Sequence, residues 1–509
     1  MQDLVIEFKD DGSHLYEQIY RHIKEEIRKG KLLYQEKLPS TRSLAAYLQV
    51  SRSTVELAYE QLVSEGYLEA VPYKGYFAAR VEELYRLDSV SPGADEAAGR
   101  TAQAQNVRNA RKAGNEQNAR DAEAAPAPAV DFSPNAIDMR SFPFGLWRRI
   151  SKNVMSQDNM EIFSAGNARG DSALRGTIAR YLHASRGVNC SPEQIIVGAG
   201  NDFLLLLLRY ILGEGICAAF ENPTYPRAWR IFELFAGRME TVPSDEGGIL
   251  VEELERTGAQ VVYVMPTHQY PTGRVMPAGR RNELLNWAAR MPGRYVIEDD
   301  YDSEFRYWGK PIPSLQSSDP SGRVIYIGTF SKSIAPAIRV SFLVLPRELL
   351  ARYEERCSCF SSTVSRIDQA VLNEFIAGGA FERHLNRMRK VYSKKHELLL
   401  EGLRPFGKDF LLTGENAGLH VVLADRRGRS ERQLRERALR QGVRVYGMSE
   451  ALVGTLPGRS GPGKAAGSSG EAEPPEAPGS ASVLLGFGGL TGEEIREGLE
   501  RLRTAWLSV

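Results

Sequence analysis

The first 80 residues show a hydrophobic spacing that predicts three helices followed by a hairpin. From Leu15 to Ile27 the large apolar residues recur every four positions, as they do along one buried face of a helix. Two further helical stretches follow, and Ser40 and Ser51 stand where an N-cap hydroxyl belongs. The segment YLEAVPYKGYFAA then alternates apolar and polar residues around a Pro and a Gly. This order predicts a winged helix-turn-helix.

Beyond about residue 131 the pattern changes to short apolar segments that alternate with helical stretches. The apolar segments are IIVGAG from 195, ICAAFENP from 216, VVYVMP from 261, YVIEDD from 295 and VIYIGTFSK from 324. Such alternation is typical of a mostly parallel sheet covered by helices, an α/β fold. Ligands bind at the carboxyl ends of the strands in these sheets, and polar and glycine-rich residues follow the predicted strands here.

Two stretches of biased composition interrupt these patterns. One is rich in Ala, Gln, Asn, Gly and Arg, and the other in Gly, Pro, Ser and Ala, so neither offers many large apolar side chains to bury. We therefore predict a winged-helix domain at residues 1–80, a flexible linker at 81–130 and a large domain at 131–509. Within the large domain, about 455–482 is predicted to be an insertion without packed structure.

Composition excludes several classes of protein. The 509 residues carry 65 Lys and Arg against 64 Asp and Glu, so no global basic field attracts nucleic acid. With 42% hydrophobic and 25% charged residues, the chain is typical of a soluble globular protein. It contains no apolar run that could span a bilayer and begins with an acidic segment, so we expect a cytoplasmic protein without membrane partners. The four cysteines form no C-x-x-C pair, and we expect no metal site.

The start of the third predicted helix carries side chains suited to DNA. A recognition helix enters the major groove with its N-terminal residues nearest the bases, and Arg52 lies there, where it can bind a guanine edge. Each such residue alone is also typical of a solvated helix cap. Because the charges of residues 1–80 nearly cancel, we expect affinity to depend on dimerisation and paired half-sites. The candidate DNA-binding residues are Arg42, Ser51, Arg52, Thr54, Lys74 and Gly75.

The segment LPSTRSLAAYLQVSRSTVELAYEQLVSEGYLEAVPYKGYF resembles the winged-helix domain of the GntR family of bacterial repressors. The resemblance implies that these six residues contact double-stranded DNA.

In the large domain, GTFSKSIAPAIR places a lysine on a short polar turn after a predicted strand. A lysine that forms a Schiff base with a carbonyl cofactor must be held at the edge of that cofactor, and Lys332 has such a position. Thr329 offers a hydroxyl and Arg339 a guanidinium to a phosphate. Most lysines in such polar turns are ordinary surface residues. The assignment of Lys332 as a Schiff-base lysine therefore depends on a second motif that could bind the same cofactor.

The partner motif is YVIEDDYDSEFRY, in which Glu298, Asp299, Asp300 and Asp302 lie close together. Neighbouring carboxylates repel one another, so we expect a cation to compensate them. A pyridinium nitrogen would pair with one carboxylate, while a nearby tyrosine hydroxyl, such as that of Tyr301, would bind the ring oxygen. Metal binding is the alternative, but the sequence offers no matching histidine cluster.

Three more segments place polar groups at predicted strand ends. IIVGAGND can hold phosphate on free backbone N–H groups at the start of a helix. In ENPTYPR, Tyr225 can stack on an aromatic cofactor and Arg227 can bind a substrate carboxylate, although a structural tyrosine and a surface arginine are commoner. PTHQYPTG adds His268 and Gln269.

In this order the segments resemble the fold-type I family of pyridoxal phosphate enzymes, the aspartate aminotransferase superfamily, over nearly all of residues 131–509. The resemblance implies pyridoxal 5′-phosphate as cofactor, with Lys332 as its Schiff-base lysine, Asp299 as partner of the pyridine nitrogen and Tyr301 as partner of the ring oxygen. The residues implied to bind the cofactor are Lys332, Asp299, Tyr301, Tyr225, Ala199, Gly200, Asn201, Thr329 and Arg339. To these we add two candidates of our own, His268 for the cofactor and Arg227 for the substrate or effector.

Two departures from that family matter. Aminotransferases usually have Asn-Pro-Thr-Gly where this chain has Tyr270 before Pro-Thr-Gly, and His268 is our candidate for the lost asparagine contact to the ring. The segment ASVLLGFGGL resembles the strand that carries the arginine for the substrate carboxylate, but Val483, Leu484 and Leu485 occupy it here. The missing arginine argues against efficient transamination of ordinary amino acids.

A GntR-like head joined to an aminotransferase-like domain resembles the MocR-type regulators. The resemblance implies a cytoplasmic regulator of vitamin B6 or of amino-acid and amine metabolism. It also implies a head-to-tail homodimer on paired DNA sites, with pyridoxal phosphate, an amine or an amino acid as cofactor or effector. Two alternatives stay open: a working aminotransferase with an inherited DNA-binding head, and a DNA-binding protein whose large domain only dimerises.

Overall fold

The protein is described here from a computed structural model. It covers residues 6, 14–29, 31–33, 35–64, 67–71, 74–78, 128–235, 237–307, 312–357, 359–454 and 481–507. Nearly all of the predicted linker at 81–130 and of the predicted insertion at 455–482 lies outside the described residues, and both stay predictions.

The amino-terminal domain is a winged helix, as predicted. Ser40 caps the second helix by accepting a hydrogen bond from Ser43 N, and Ser51 accepts one from Thr54 N before the third helix. The two strands form an antiparallel hairpin. Leu15 is 45% exposed although it shares the apolar spacing of the first helix, because the buried core begins one turn later at Ile19. The elements are α1 (Leu15–Arg28), α2 (Thr41–Leu48), α3 (Arg52–Ser64), β1 (Leu68–Val71) and β2 (Gly75–Ala78).

The large domain alternates strands and helices. Its helices are α4 (Phe144–Val154), α5 (Ser172–Arg186), α6 (Asn201–Leu212), α7 (Pro226–Glu233), α8 (Val251–Thr257), α9 (Ala278–Arg290), α10 (Arg347–Cys357), α11 (Arg366–Ala377), α12 (Ala380–Leu403), α13 (Glu431–Arg440) and α14 (Gly492–Leu507). Its strands are β3 (Val130–Asp131), β4 (Ile195–Gly198), β5 (Cys217–Asn222), β6 (Arg238–Asp245), β7 (Gly248–Ile249), β8 (Val261–Val264), β9 (Tyr295–Asp300), β10 (Val324–Thr329), β11 (Ser341–Val344), β12 (Phe410–Thr413), β13 (His420–Asp425), β14 (Val443–Arg444), β15 (Tyr446–Gly447) and β16 (Ser482–Gly486).

The main sheet has the order β4-β11-β10-β9-β8-β5-β6-β7 and is mostly parallel, which confirms the prediction. β10, β9, β8, β5 and β6 pair in parallel with one another in that order. β11 is antiparallel to both β10 and β4, so β4 runs in the same direction as β10. The carboxyl ends of β4, β5, β8, β9 and β10, the five strands predicted from the sequence, therefore lie at one edge of the sheet.

A second sheet near the carboxyl terminus has the order β12-β13-β16-β15 and is antiparallel. β16 contains Leu484, which pairs with Tyr446 and Val422 and is buried. The hydrophobic core between the main sheet, the second sheet and α12 holds these elements together. Among the helices that the structure describes, none is long and apolar enough to cross a membrane.

Candidate functional site

A cavity of about 270 Å³ opens at the carboxyl edge of the main sheet. It brings together side chains from the ends of several strands, as expected for a sheet of this kind. Its lining includes eight predicted site residues, and it also includes Asn135, Asp202, Met265, Tyr270, Ser331 and Pro336, which are not among the predicted site residues. The predicted residues that line it are Asn201, Tyr225, Arg227, Asp299, Tyr301, Thr329, Lys332 and Arg339.

Lys332 lies on the turn after β10, with its amine directed into the cavity. Its Nζ donates to the backbone oxygen of Pro134 at 3.2 Å and lies 3.4 Å from Oδ1 of Asn135. The surrounding walls desolvate the amine, which lowers the pKa of Lys332 to about 8 against the smaller, raising effect of Asp302. More of this amine is therefore unprotonated near neutral pH than that of an ordinary lysine, and the unprotonated form is the nucleophile.

Asp299 lies at the end of β9 and is almost fully buried. The hydroxyl of Tyr263 donates to its carboxylate, and the amide of Asn201 lies 3.4 Å from Oδ2. Burial raises the pKa of Asp299 to about 7, and the nearby Asp300 and Asp302 act in the same direction. No cation neutralises Asp299 among the described residues, so the site fits a ligand that brings a protonated ring nitrogen to it.

We expected one cation of the ligand to compensate the four neighbouring carboxylates of this motif. The structure shows instead that protein groups stabilise two of them. Strand alternation directs Glu298 and Asp300 to the face opposite Asp299. Asp300 pairs with Nε of the buried Arg186 at 2.8 Å, and Glu298 accepts hydrogen bonds from two backbone N–H groups. A side chain and the backbone therefore stabilise these two, which leaves Asp299 to the cavity.

His268 contacts the hydroxyl of Tyr301. Nδ1 of His268 lies 2.9 Å from the hydroxyl of Tyr301 and 2.9 Å from Oδ2 of Asp302. When Nδ1–H donates to this carboxylate, the hydrogen of the Tyr301 hydroxyl is left to donate into the cavity. His268 does not line the cavity. It contacts Tyr301, which does. Gly418 packs on its ring so closely that a Cβ there would lie 2.0 Å from Cε1.

The predicted phosphate-binding groups surround the start of α6. Gly200 has a φ of +91°, and a Cβ at this position would lie 2.4 Å from Nη2 of Arg339, so the close approach of the guanidinium requires glycine. Arg339 donates to the backbone oxygen of Ala199 at 3.4 Å. Thr329 also lines the cavity, and its hydroxyl accepts from Ser331 N. The free N–H groups of the first turn of α6 add to this anion-binding character.

Tyr225 and Arg227 lie at the start of α7. The Tyr225 ring packs edge-on against Tyr270, with 6.0 Å between centroids, and borders the cavity. Arg227 is 60% exposed and donates to Oδ2 of Asp202 at 3.2 Å. Both residues line the cavity, and their assigned roles stay predictions. The sequence did not reveal Asp202 as a partner of Arg227, because the two residues belong to different segments.

The candidate DNA-binding residues lie on the surface of the winged helix. Arg42 is exposed on α2, and Lys74 is exposed beside Gly75 at the tip of the hairpin. Arg52, the first residue of α3, is 66% exposed and pairs with Glu56 one turn later at 2.7 Å. Ser51 and Thr54 bond to each other through their hydroxyls at 2.7 Å. The structure therefore brings Ser51, Arg52 and Thr54 together at one helix start.

No group of three His, Cys, Asp or Glu side chains in the described ranges lies close enough to hold a metal ion.

Comparison with known proteins gives one match for each domain. Residues 15–77 match the family model of the bacterial regulatory proteins of the gntR family, and residues 134–460 match that of aminotransferase class I and II. The large domain is also similar to the crystal structure of Pyrococcus horikoshii kynurenine aminotransferase, with a TM-score of 0.62 and 25% identity over 75% of this chain and 91% of that one.

Full-length relatives combine both domains. The chain is 38% identical over 496 residues to the HTH-type transcriptional regulator YdeL of Bacillus subtilis, covering 97% of this chain and 96% of the relative. It is 31% identical over 504 residues to the probable rhizopine catabolism regulatory protein MocR of Rhizobium meliloti, covering 98% and 95%. It is 30% identical over 406 residues to the pyridoxine biosynthesis transcriptional regulator PdxR of Corynebacterium glutamicum, covering 80% and 82%.

Proposed function

We propose, because this chain belongs to the MocR-type transcriptional regulators, that it controls genes of vitamin B6 or of amino-acid and amine metabolism. The family joins a GntR winged-helix head, which binds DNA, to an aminotransferase-like domain that binds pyridoxal phosphate. The names of PdxR and MocR, which refer to pyridoxine biosynthesis and rhizopine catabolism, support these two pathways as alternatives. The observation that carries the proposal is the set of Lys332, Asp299 and Tyr301 in one cavity.

These residues suit the chemistry of pyridoxal phosphate, which supplies an aldehyde on a protonated, electron-withdrawing ring. Lys332 offers an amine with a pKa of about 8. Asp299 offers a buried carboxyl to the ring nitrogen, and Tyr301 a hydroxyl to the ring oxygen. Arg339 and the start of α6 offer positive charge to the phosphate, so the donor set fits the cofactor.

A head-to-tail homodimer in the cytoplasm completes the proposal. Large apolar side chains on and after α4 support the dimer: Phe144 is 65% exposed, Met160 76% and Phe163 67%. We infer that these exposed apolar groups belong to a surface that another chain covers. Two heads on one dimer would contact paired DNA sites.

Coupling between the cofactor site and the head would run through α12. On one side of this helix, Nε2 of His384 lies 3.1 Å from the backbone oxygen of Ser333, next to Lys332. On the other side, the Tyr67 hydroxyl of the head donates to Glu382 at 3.2 Å, and Nζ of Lys390 donates to Leu68 O at 3.3 Å. We propose that the docked head keeps the start of α3 exposed, because Tyr67 follows the carboxyl end of α3 and the candidates Ser51, Arg52 and Thr54 lie at its other end.

A Tyr67→Phe, Lys390→Ala double variant is expected to release the head, because it removes both hydrogen bonds and also the 3.9 Å ion pair of Lys390 with Glu69. Each lost hydrogen bond costs about 0.5–1.5 kcal/mol, so backbone amides of β1 should exchange hydrogen about tenfold faster. Hydrogen exchange by mass spectrometry measures this in the full chain. The control is Lys394→Ala, one turn further along α12, where the side chain is exposed. Unchanged exchange in the double variant would contradict docking at this surface.

The intact Lys332, Asp299 and Tyr301 set also supports the second candidate function, a working aminotransferase. Steady-state production of keto acid from amino acids separates the two. Because Leu484 occupies the strand where an arginine would bind the substrate carboxylate, we expect turnover far below the roughly 1–1000 per second typical of enzymes. A spectral change of the bound cofactor with some amine should nevertheless be seen. Turnover in the enzymatic range would favour the aminotransferase.

A further inference from the structure

Asp202 lies between the two arginines of the cavity. Its Oδ2 accepts from Nη1 of Arg227 at 3.2 Å and from Nη2 of Arg339 at 3.3 Å. All three side chains line the cavity, and Asp202 also stands in the first turn of α6. One carboxylate oxygen is thus shared by two guanidinium groups that open onto the same space.

This carboxylate offers the arginines the same chemistry as a phosphate oxygen. Guanidinium groups bind carboxylates and phosphates through equivalent charge-assisted hydrogen bonds, so the two anions compete for them. The start of α6 attracts negative charge as well, and Asp202 already supplies one there. A phosphate that binds Arg339 and the first turn of α6 must therefore displace Asp202 or remain close to it.

We propose that Asp202 is an internal counter-ion that competes with the phosphate of the cofactor and so lowers its affinity. This inference rests on the proposed function, and it gives that function a means of sensing. A site that responds to the level of free cofactor must exchange it, and its occupancy changes most when the dissociation constant is near the free concentration. Asp202 weakens the hold on the phosphate without altering the residues that face the ring.

Asp202→Asn tests the proposal, because asparagine keeps the shape of the side chain and removes its charge. The probes are pyridoxal phosphate and pyridoxal, which lacks the phosphate, titrated at equilibrium by absorbance against the full-length protein. We expect the variant to bind pyridoxal phosphate about tenfold more tightly, equivalent to about 1.4 kcal/mol of relieved repulsion. The affinity for pyridoxal should stay the same. The gain should shrink in 1 M salt, where charges are screened beyond about 3 Å.

The matched control is Asp245→Asn, which makes the same change of charge. Asp245 pairs with Arg280 at 2.9 Å and does not line the cavity. This variant should bind both probes like the wild type, and thermal unfolding of both variants verifies that they are folded.

The outcomes separate the inference from the proposed function. If the wild type binds pyridoxal phosphate and Asp202→Asn binds it equally or more weakly, Asp202 positions the arginines and does not compete with the phosphate. An equal gain for pyridoxal would also overturn the proposal, because the phosphate would then not be involved. If neither wild type nor variant binds either probe, the proposed function itself fails.

Discussion

Lys332→Ala is expected to abolish covalent attachment of pyridoxal phosphate and to leave the large domain folded. Lys332 lines the cavity, where its amine can reach a ligand. The hydrogen bonds of this amine to Pro134 O and Asn135 are long, at 3.2 and 3.4 Å. Their loss should cost little stability. Borohydride reduction followed by peptide mapping locates the attached cofactor, and thermal unfolding reports on the fold.

The pH dependence gives this prediction a second readout. The pKa of Lys332 is lowered to about 8, so the unprotonated amine increases as the pH rises through that value. The rate of attachment should rise with it and level off above it. Lys408→Ala, a replacement of an exposed lysine, is the control and should behave as the wild type. A reduced cofactor mapped to another lysine in the wild type would show that Lys332 is wrongly assigned.

Arg52→Ala is expected to weaken sequence-specific DNA binding by about 1–3 kcal/mol for each half-site, the size of one bidentate contact to a base. Arg52 is exposed at the start of α3, and its pair with Glu56 at 2.7 Å must open or rearrange when it meets a guanine edge. Exposed pairs of this spacing contribute only about 0.3–0.5 kcal/mol, so the head should remain folded. Titrating the target site and a scrambled site of equal length measures the effect.

Arg21→Ala is the matched control for this variant. Arg21 is an exposed arginine of α1 and forms the same kind of pair one turn apart, with Glu17 at 3.5 Å. It should leave discrimination between the two DNA sites intact. If Arg52→Ala weakens binding to both sites equally, the residue contacts a phosphate and reads no base.

The elements of the head and the central strands could be predicted from the sequence because their signals are local. Ser40 and Ser51 stand directly before apolar helical spacing, and each caps its helix in the structure. The strands β4, β5, β8, β9 and β10 are continuous apolar segments followed by polar residues, as buried parallel strands are. The short antiparallel strand β11 lies between two of them and was not predicted.

The pairings inside the site could not be predicted, because they join segments far apart in the sequence. Asp202 contacts Arg227 and Arg339 because α6 packs against α7 and against the loop after β10. Tyr263 reaches Asp299 from the adjacent strand β8, whose residues read only as an apolar core segment. The position of His268 behind Tyr301 depends on the close packing of Gly418.

The carboxylate motif shows where the sequence argument was incomplete. Four acidic residues in YVIEDDYD implied one compensating cation, but strand alternation directs Glu298 and Asp300 to one face and Asp299 to the other, and Asp302 lies against His268. Arg186 neutralises Asp300 from α5, a partner that no nearby residue reveals. The expectation for Asp299 is unaffected by this, since its face borders the cavity.

The central claim is that this protein binds specific DNA sites in a way that depends on pyridoxal phosphate. Genomic DNA fragments captured on the purified full-length protein, with and without pyridoxal phosphate, and then sequenced, test it most directly. We predict a small set of fragments that share paired sites and whose occupancy changes with the cofactor, and the neighbouring genes would then name the pathway. Retention of no specific fragment in either condition would contradict the claim and favour the aminotransferase.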